Sequence, residues 1–267
     1  MFLKCKFEVW ENEFFYYCLL PFFCEQSEKK AIKNLSNKKS SVSETQRQLI
    51  FENAKTFPDN TQISFAFIKN GKVNHYGIKK ENDSISQCNN YNDIFEIGSI
   101  TKVFTSNLLA SFIINNKVKL NDNINDYLNI PFKNNVKITF KSLANHTSGV
   151  PELPTNLDLE KINTANPFQK YNEIDLENYL EKSLHIEDTI KDKYLYSNLG
   201  AGLLGYTLSK IENVSYNELL KRHIFSKYKM FNTTLNLNES SKMLVKGLDT
   251  QGNEVPNWEF SVLAGAG

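Results

Sequence analysis

FEIGSITKVFTSNLLA, residues 95–110, is the stretch from which the rest of the chain is read. From Ser99 to Ile114 the apolar positions Val103, Leu108, Leu109, Phe112 and Ile113 recur at helical spacing, which predicts a helix with one buried face. At its start, Ser99-Ile100-Thr101-Lys102 fits the pattern S-x-x-K. Three residues apart on a helix, a hydroxyl and an amine lie on one face and can meet. The helix N-terminus favours negative charge on the serine oxygen. A lysine drawn into a partly desolvated site loses proton affinity and can accept the serine proton. Gly98 allows the backbone to approach the site closely. On those four residues alone, a capping serine beside an exposed lysine is the simpler account, so the flanks matter.

Upstream, Ser43 is a plausible N-cap for an amphipathic helix over ETQRQLIFENAKTF. Ile63–Ile68 and Val73–Ile78 are two short β-rich runs separated by Lys69-Asn70-Gly71-Lys72. Asn-Gly at that point predicts a hairpin, because both central positions of a type I′ turn need positive φ. Lys79 to Asp93, rich in Asn and Ser, reads as a polar loop. Downstream the chain becomes mostly helical. Thr139 is a cap for a short helix through Asn145, and Asp175 a cap for LENYLEKSL. Asn198–Ile211 and Tyr216–Phe225 follow as two further helices. Gly200, Gly202 and Gly205 fall inside the helical pattern and permit close packing. A helix, a hairpin and then a run of helices give an α+β protein with an antiparallel sheet and a helical subdomain at roughly 118–250.

Three ordered stretches carry a family resemblance. FEIGSITKVFTSNLLA with the later Val118-Lys119-Leu120-Asn121-Asp122 resembles the nucleophile segment of the serine β-lactamase and penicillin-binding family. The similarity is to the branch of class C β-lactamases, D-alanyl-D-alanine carboxypeptidases and related esterases. Ile138–Val150, ITFKSLANHTSGV, resembles that branch's I-T-x-x-x-L-L-x-H-T-S-G-L signature, and Tyr194–Leu204, YLYSNLGAGLL, its Y-S-N segment. The resemblance implies a β-lactamase-like fold and an acyl-enzyme mechanism on an amide or ester: a β-lactam, a D-Ala-D-Ala peptide end or a small ester. It implies Ser99 as nucleophile, Lys102 as its proton acceptor, and Tyr196 as the phenol that passes a proton to the leaving amine. Asn198 would hydrogen-bond the substrate amide. Without the resemblance, Tyr196 reads as a core aromatic and Asn198 as a helix cap. His146 reads as structural, its ring bonding local backbone in a tight H-T-S-G turn.

Against the same family, a C-terminal strand bearing Lys or His, a small residue and Gly is not found. Lys246-Gly247 comes too early, and Pro256–Gly267 resembles the region before that strand. The expectation is a domain over 42–267 that is incomplete at its C-terminus and has little or no turnover. Its alternative function is that of an inactive remnant or binding protein. Lys227-Tyr228-Lys229-Met230 and Lys191-Asp192-Lys193 depart from the family's usual P-L-G-M and Pro-Gly turn.

The N-terminus has its own reading. Phe14–Phe23 is an apolar run of signal-peptide length, and Cys24 before a polar stretch resembles the acylated cysteine of a bacterial lipoprotein. That makes 1–24 a signal or lipoprotein segment, with a mis-set start codon or a buried segment as the alternatives. It points to the cell envelope or periplasm and to membrane attachment through a lipid on Cys24. Residues 25–41 read as a polar linker.

Composition sets permissive limits. The 267 residues carry 31 Lys+Arg and 30 Asp+Glu, a net charge of +1, so there is no basic excess for nucleic acid. The partner expected is a small molecule or peptide substrate. The four histidines, His75, His146, His185 and His223, show no H-x-x-x-H or H-E-x-x-H, and Cys5, Cys18, Cys24 and Cys88 show no C-x-x-C. No metal is therefore expected. Without G-x-G-x-x-G or a Walker loop, no nucleotide cofactor is expected either. Oligomeric state is not legible.

Overall fold

The computed structural model describes residues 2–3, 32–35, 42–157, 166–186, 193–235 and 243–267. The apolar run Phe14–Phe23 and Cys24 lie outside the described residues. The chain divides into two units. One gathers Lys4–Phe95 and Lys242–Val255, the other Met1–Leu3, Glu96–Ser241 and Pro256–Gly267. The α+β expectation holds, but the helical unit opens with the Ser99 segment rather than near residue 118.

In the sheet unit, β1 (Lys33–Leu35), β2 (Gln62–Lys69), β3 (Lys72–Glu81) and β4 (Ser84–Cys88) form a sheet in the order β1-β4-β3-β2. The Asn70-Gly71 hairpin forms as expected, with φ of 51° and 73° at its centre. Two expectations are corrected. Lys79–Asp93 is not a loop: β3 runs on to Glu81, and Asn82 and Asp83 (φ 48° and 56°) turn the chain into β4. Nor is 25–41 wholly a linker, because β1 lies within it and pairs with β4 in parallel, making the sheet mixed rather than antiparallel. Backbone groups make that pairing, as in Lys33 N–H to the Asp83 carbonyl at 2.9 Å, so three residues without an alternating apolar pattern suffice.

Helix α1 (Glu44–Ala54) starts at Ser43, which forms a capping box with Gln46. Its buried residues Ile50 and Ala54 join a core with Val42, Tyr76, Ile78 and Ile85. Past its C-terminal end, the buried Lys80 ammonium donates to the carbonyls of Lys55 (3.1 Å) and Phe57 (2.5 Å), where the helix dipole is negative. Strands β5 (Gly247–Leu248) and β6 (Glu254–Val255) pair with each other in the same unit.

The helical unit is built around α5 (Asn198–Glu212), buried continuously from Leu199 to Leu208. Such a helix is apolar all round and surrounded by neighbours. The others are α2 (Thr101–Ile114), α3 (Phe140–Ala144), α4 (Glu173–Asn178) and α6 (Tyr216–Leu220). α4 and α6 each continue into a wider π turn, over Tyr179–Ser183 and Lys221–Phe225. Thr139 caps α3 as expected. The cap of α4 is Asn172, with Asp175 completing its capping box from the third helical position. On α2 the buried face is Thr101, Thr105, Leu108, Leu109 and Phe112, whereas Val103 is 57% exposed.

The expected close packing at the glycines holds. A Cβ on Gly202 would lie 2.7 Å from Leu263 Cδ2, and one on Gly205 would lie 3.0 Å from the Gly265 Cα. The segment 263–267 therefore rests directly on the α5 backbone.

Candidate active site

Ser99 sits in a single 3₁₀ turn, Gly98–Ile100, that runs directly into α2. Gly98 is needed for its conformation (φ 49°) rather than for space, since a Cβ there would meet nothing within 4 Å. The exposed Ser99 Oγ lies 2.9 Å from Lys102 Nζ and accepts from the Tyr196 hydroxyl at 2.8 Å. Lys102 Nζ also donates to Asn198 Oδ1 at 2.7 Å and to the Ala266 carbonyl at 2.8 Å, and stands 4.8 Å from the centre of the Tyr196 ring. All four residues singled out in the sequence thus meet around one amine. Burial pushes the Lys102 ammonium below the ordinary lysine range, against the opposing pull of Tyr196 and the Glu152 carboxylate.

Two loops hold Tyr196 and Asn198 in place. His146, at φ 56°, accepts the Ser197 N–H on Nδ1 at 3.1 Å, and its carbonyl accepts the Leu195 N–H at 2.8 Å. Its ring lies 4.8 Å from that of Tyr196. His146 thus grips a segment 51 residues away rather than its own turn. Burial, and then the Lys102 charge, keep its pKa low, which suits a ring nitrogen that accepts. Ser197 donates to the Pro151 carbonyl (2.6 Å) and accepts from Gly200 N–H (2.7 Å), capping α5 with Asn198 as its first residue. Leu199 N–H to the Glu152 carbonyl at 2.9 Å ties the two loops together again.

A β-lactamase family model matches residues 53–265, which takes in Ser99, Lys102, Tyr196 and Asn198. The chain belongs to the β-lactamase family. It is 28% identical over 201 residues to a β-lactamase of Pseudomonas fluorescens, covering 74% of this chain and 52% of that one. It is 29% identical over 182 residues to β-lactamase-like protein 2 of Dictyostelium discoideum, covering 65% and 32%. A class C β-lactamase from Rhodobacter sphaeroides has a similar fold (TM-score 0.64, 18% identity, 84% of this chain and 60% of that one). So has a β-lactamase/D-alanine carboxypeptidase from Yersinia pestis, solved with citrate (0.64, 22%, 84% and 64%). The chain spans about half or less of the length of these curated relatives.

Within this β-lactamase-family site, three participants escaped the sequence reading. The Ala266 carbonyl left no signal, because any residue supplies one. Thr105 and Tyr216 look like core fillers. Yet Thr105 Oγ1 lies 2.6 Å from the Gly265 carbonyl and 2.7 Å from Tyr216 Oη, one residue from the carbonyl on Lys102. Asn198 turns its Oδ1 to the Lys102 amine, which leaves its NH₂ facing away from that contact.

Proposed function

We propose that this chain forms an acyl-enzyme at Ser99 with an amide or ester, as a serine hydrolase of the β-lactamase and penicillin-binding type. The observation that carries this reading is the convergence of Lys102 Nζ and Tyr196 Oη on Ser99 Oγ, at 2.9 and 2.8 Å.

As an ammonium, Lys102 can donate to Ser99, Asn198 and Ala266 together. As a neutral amine it keeps two N–H groups for Asn198 Oδ1 and the Ala266 carbonyl, and its lone pair faces Ser99. The lowered pKa places that neutral form at lower pH than for a free lysine. In the acylation step the Ser99 proton passes to Lys102 as Oγ bonds the substrate carbonyl carbon. The tetrahedral adduct then collapses, breaking the C–N or C–O bond, and Tyr196 gives its proton to the departing nitrogen or oxygen. Lys102 returns the proton it took to Tyr196. Water then adds to the acyl carbon and releases the acid, with Ser99 regaining its proton. A β-lactam, a D-Ala-D-Ala peptide end and a small ester all present such a carbonyl. A lipid on Cys24 and a place in the cell envelope belong to the same reading.

The test is covalent labelling with a fluorescent penicillin and with a fluorophosphonate, alongside nitrocefin turnover. The expected result is one labelled site, Ser99, lost completely in Ser99→Ala. A protein folded by circular dichroism that takes neither probe is instead a non-catalytic binding protein.

A further inference from the structure

We propose that Thr105 and Tyr216 are positioning residues for Lys102, forming a buried two-hydroxyl relay that fixes the backbone carbonyl on which the Lys102 amine is aimed. The proposal deepens the hydrolase reading and rests on it for the role of Lys102.

The direction of the relay follows from donor counting. Thr105 has one hydroxyl proton and three oxygens in range: the Gly265 carbonyl at 2.6 Å, Tyr216 Oη at 2.7 Å and the Thr101 carbonyl at 3.4 Å. The Gly265 carbonyl can only accept, so its 2.6 Å contact takes the Thr105 proton. The oxygen 2.7 Å away on Tyr216 must then donate to Thr105, so the order is Tyr216 O–H to Thr105 Oγ1 to Gly265 carbonyl. Burial pushes the Tyr216 phenol well above its ordinary range, which keeps it a donor. Thr105 is fully buried, so each of these groups depends on its protein partner.

The peptide plane joining Gly265 to Ala266 is held at both ends. Thr105 holds its carbonyl, and its N–H donates to the Leu263 carbonyl at 2.8 Å. Only the φ and ψ of Ala266 itself then remain to aim the next carbonyl, which meets Lys102 Nζ at 2.8 Å. On its far side the same segment touches α5 without a side chain between them: a Cβ on Gly265 would sit 2.7 Å from the Ala201 carbonyl oxygen. The segment is clamped between α5 and the hydroxyls of α2 and α6. A valine at 105 would fill the same space but could not hold the peptide.

Loss of the clamp frees the carbonyl, lets water reach Lys102 and so relieves the burial that depresses its pKa. The other groups facing Lys102, namely Ser99, Tyr196, Asn198, Glu152 and the His146 ring, keep their own chemistry in the variants below.

In the full chain, Ser99 labelling by a fluorescent penicillin and by a fluorophosphonate is followed against pH. The Lys102 titration is followed independently by NMR of ¹⁵N-lysine. Thr105→Val is expected to label about tenfold more slowly at neutral pH, as a buried hydrogen bond is lost and its partner stranded. Its acid limb and its Lys102 midpoint should both move to higher pH. Thr105→Ser should restore rate and midpoint, and Tyr216→Phe should shift both in the same direction by less. The proposal is overturned if folded Thr105→Val keeps the wild-type midpoint, or if serine fails to rescue it. A lowered melting temperature with an unmoved midpoint also overturns it, because it leaves Thr105 a packing role alone. If the wild type takes no label while the midpoint still moves, the relay stands and the hydrolase reading falls.

Discussion

Lys102 sets the pH dependence expected of the site. Its pKa is lowered chiefly by burial, so the neutral amine that can take the Ser99 proton accumulates at lower pH than for an exposed lysine. The labelling rate should therefore rise with pH through a midpoint below the ordinary lysine value of 10.5 and then level off. Lys102→Arg should remove that limb and slow labelling about 100-fold or more, since a guanidinium stays protonated at every accessible pH. Measuring labelling rates of both proteins across the pH range checks this, and an arginine variant with wild-type rate would sink it. At this scale much of the site was legible. Ser99 and Lys102 share a helical face, and Tyr196 and Asn198 lie in a segment whose resemblance marks it. Ala266 was not, because it acts through an atom that every residue carries.

Among the elements, α5 decides where segment 263–267 can lie, and it does so by lacking side chains at Gly202 and Gly205. Gly202→Ala would place a Cβ 2.7 Å from Leu263 Cδ2 and 2.9 Å from its Cβ. Because Leu263 is buried, the segment rather than the methyl has to move. The expected cost is about 1–3 kcal/mol of stability, read as a fall in melting temperature, together with slower Ser99 labelling as the Ala266 carbonyl withdraws. A variant with unchanged melting temperature and labelling rate would contradict this packing. Legibility at this scale followed side-chain pattern. The helices from α2 onward and the Asn70-Gly71 hairpin announce themselves by period and turn residues. Strand β4, SISQC, does not: its one strongly apolar, fully buried residue is Ile85, and its turn is the less distinctive Asn82-Asp83. Strand β1 is three residues long and held by backbone pairing, which leaves no periodic trace.

For the molecule as a whole, every hydrogen bond described around Ser99 comes from residues of the helical unit. Stability and chemistry should therefore separate. Lys80→Met removes the donor for two carbonyls beyond the end of α1 in the sheet unit and should cost about 2 kcal/mol. The labelling rate of the folded fraction should not change, and a slowed rate at full folding would refute the separation. The order of synthesis gives the site a history. Ala266 follows Lys102 by 164 residues, which at roughly 5–20 residues per second is a delay of about 10–30 s on the ribosome. Through that interval the Lys102 amine has no Ala266 carbonyl to meet. Ser99 and Lys102 are made early, and the carbonyl that meets the amine is made later.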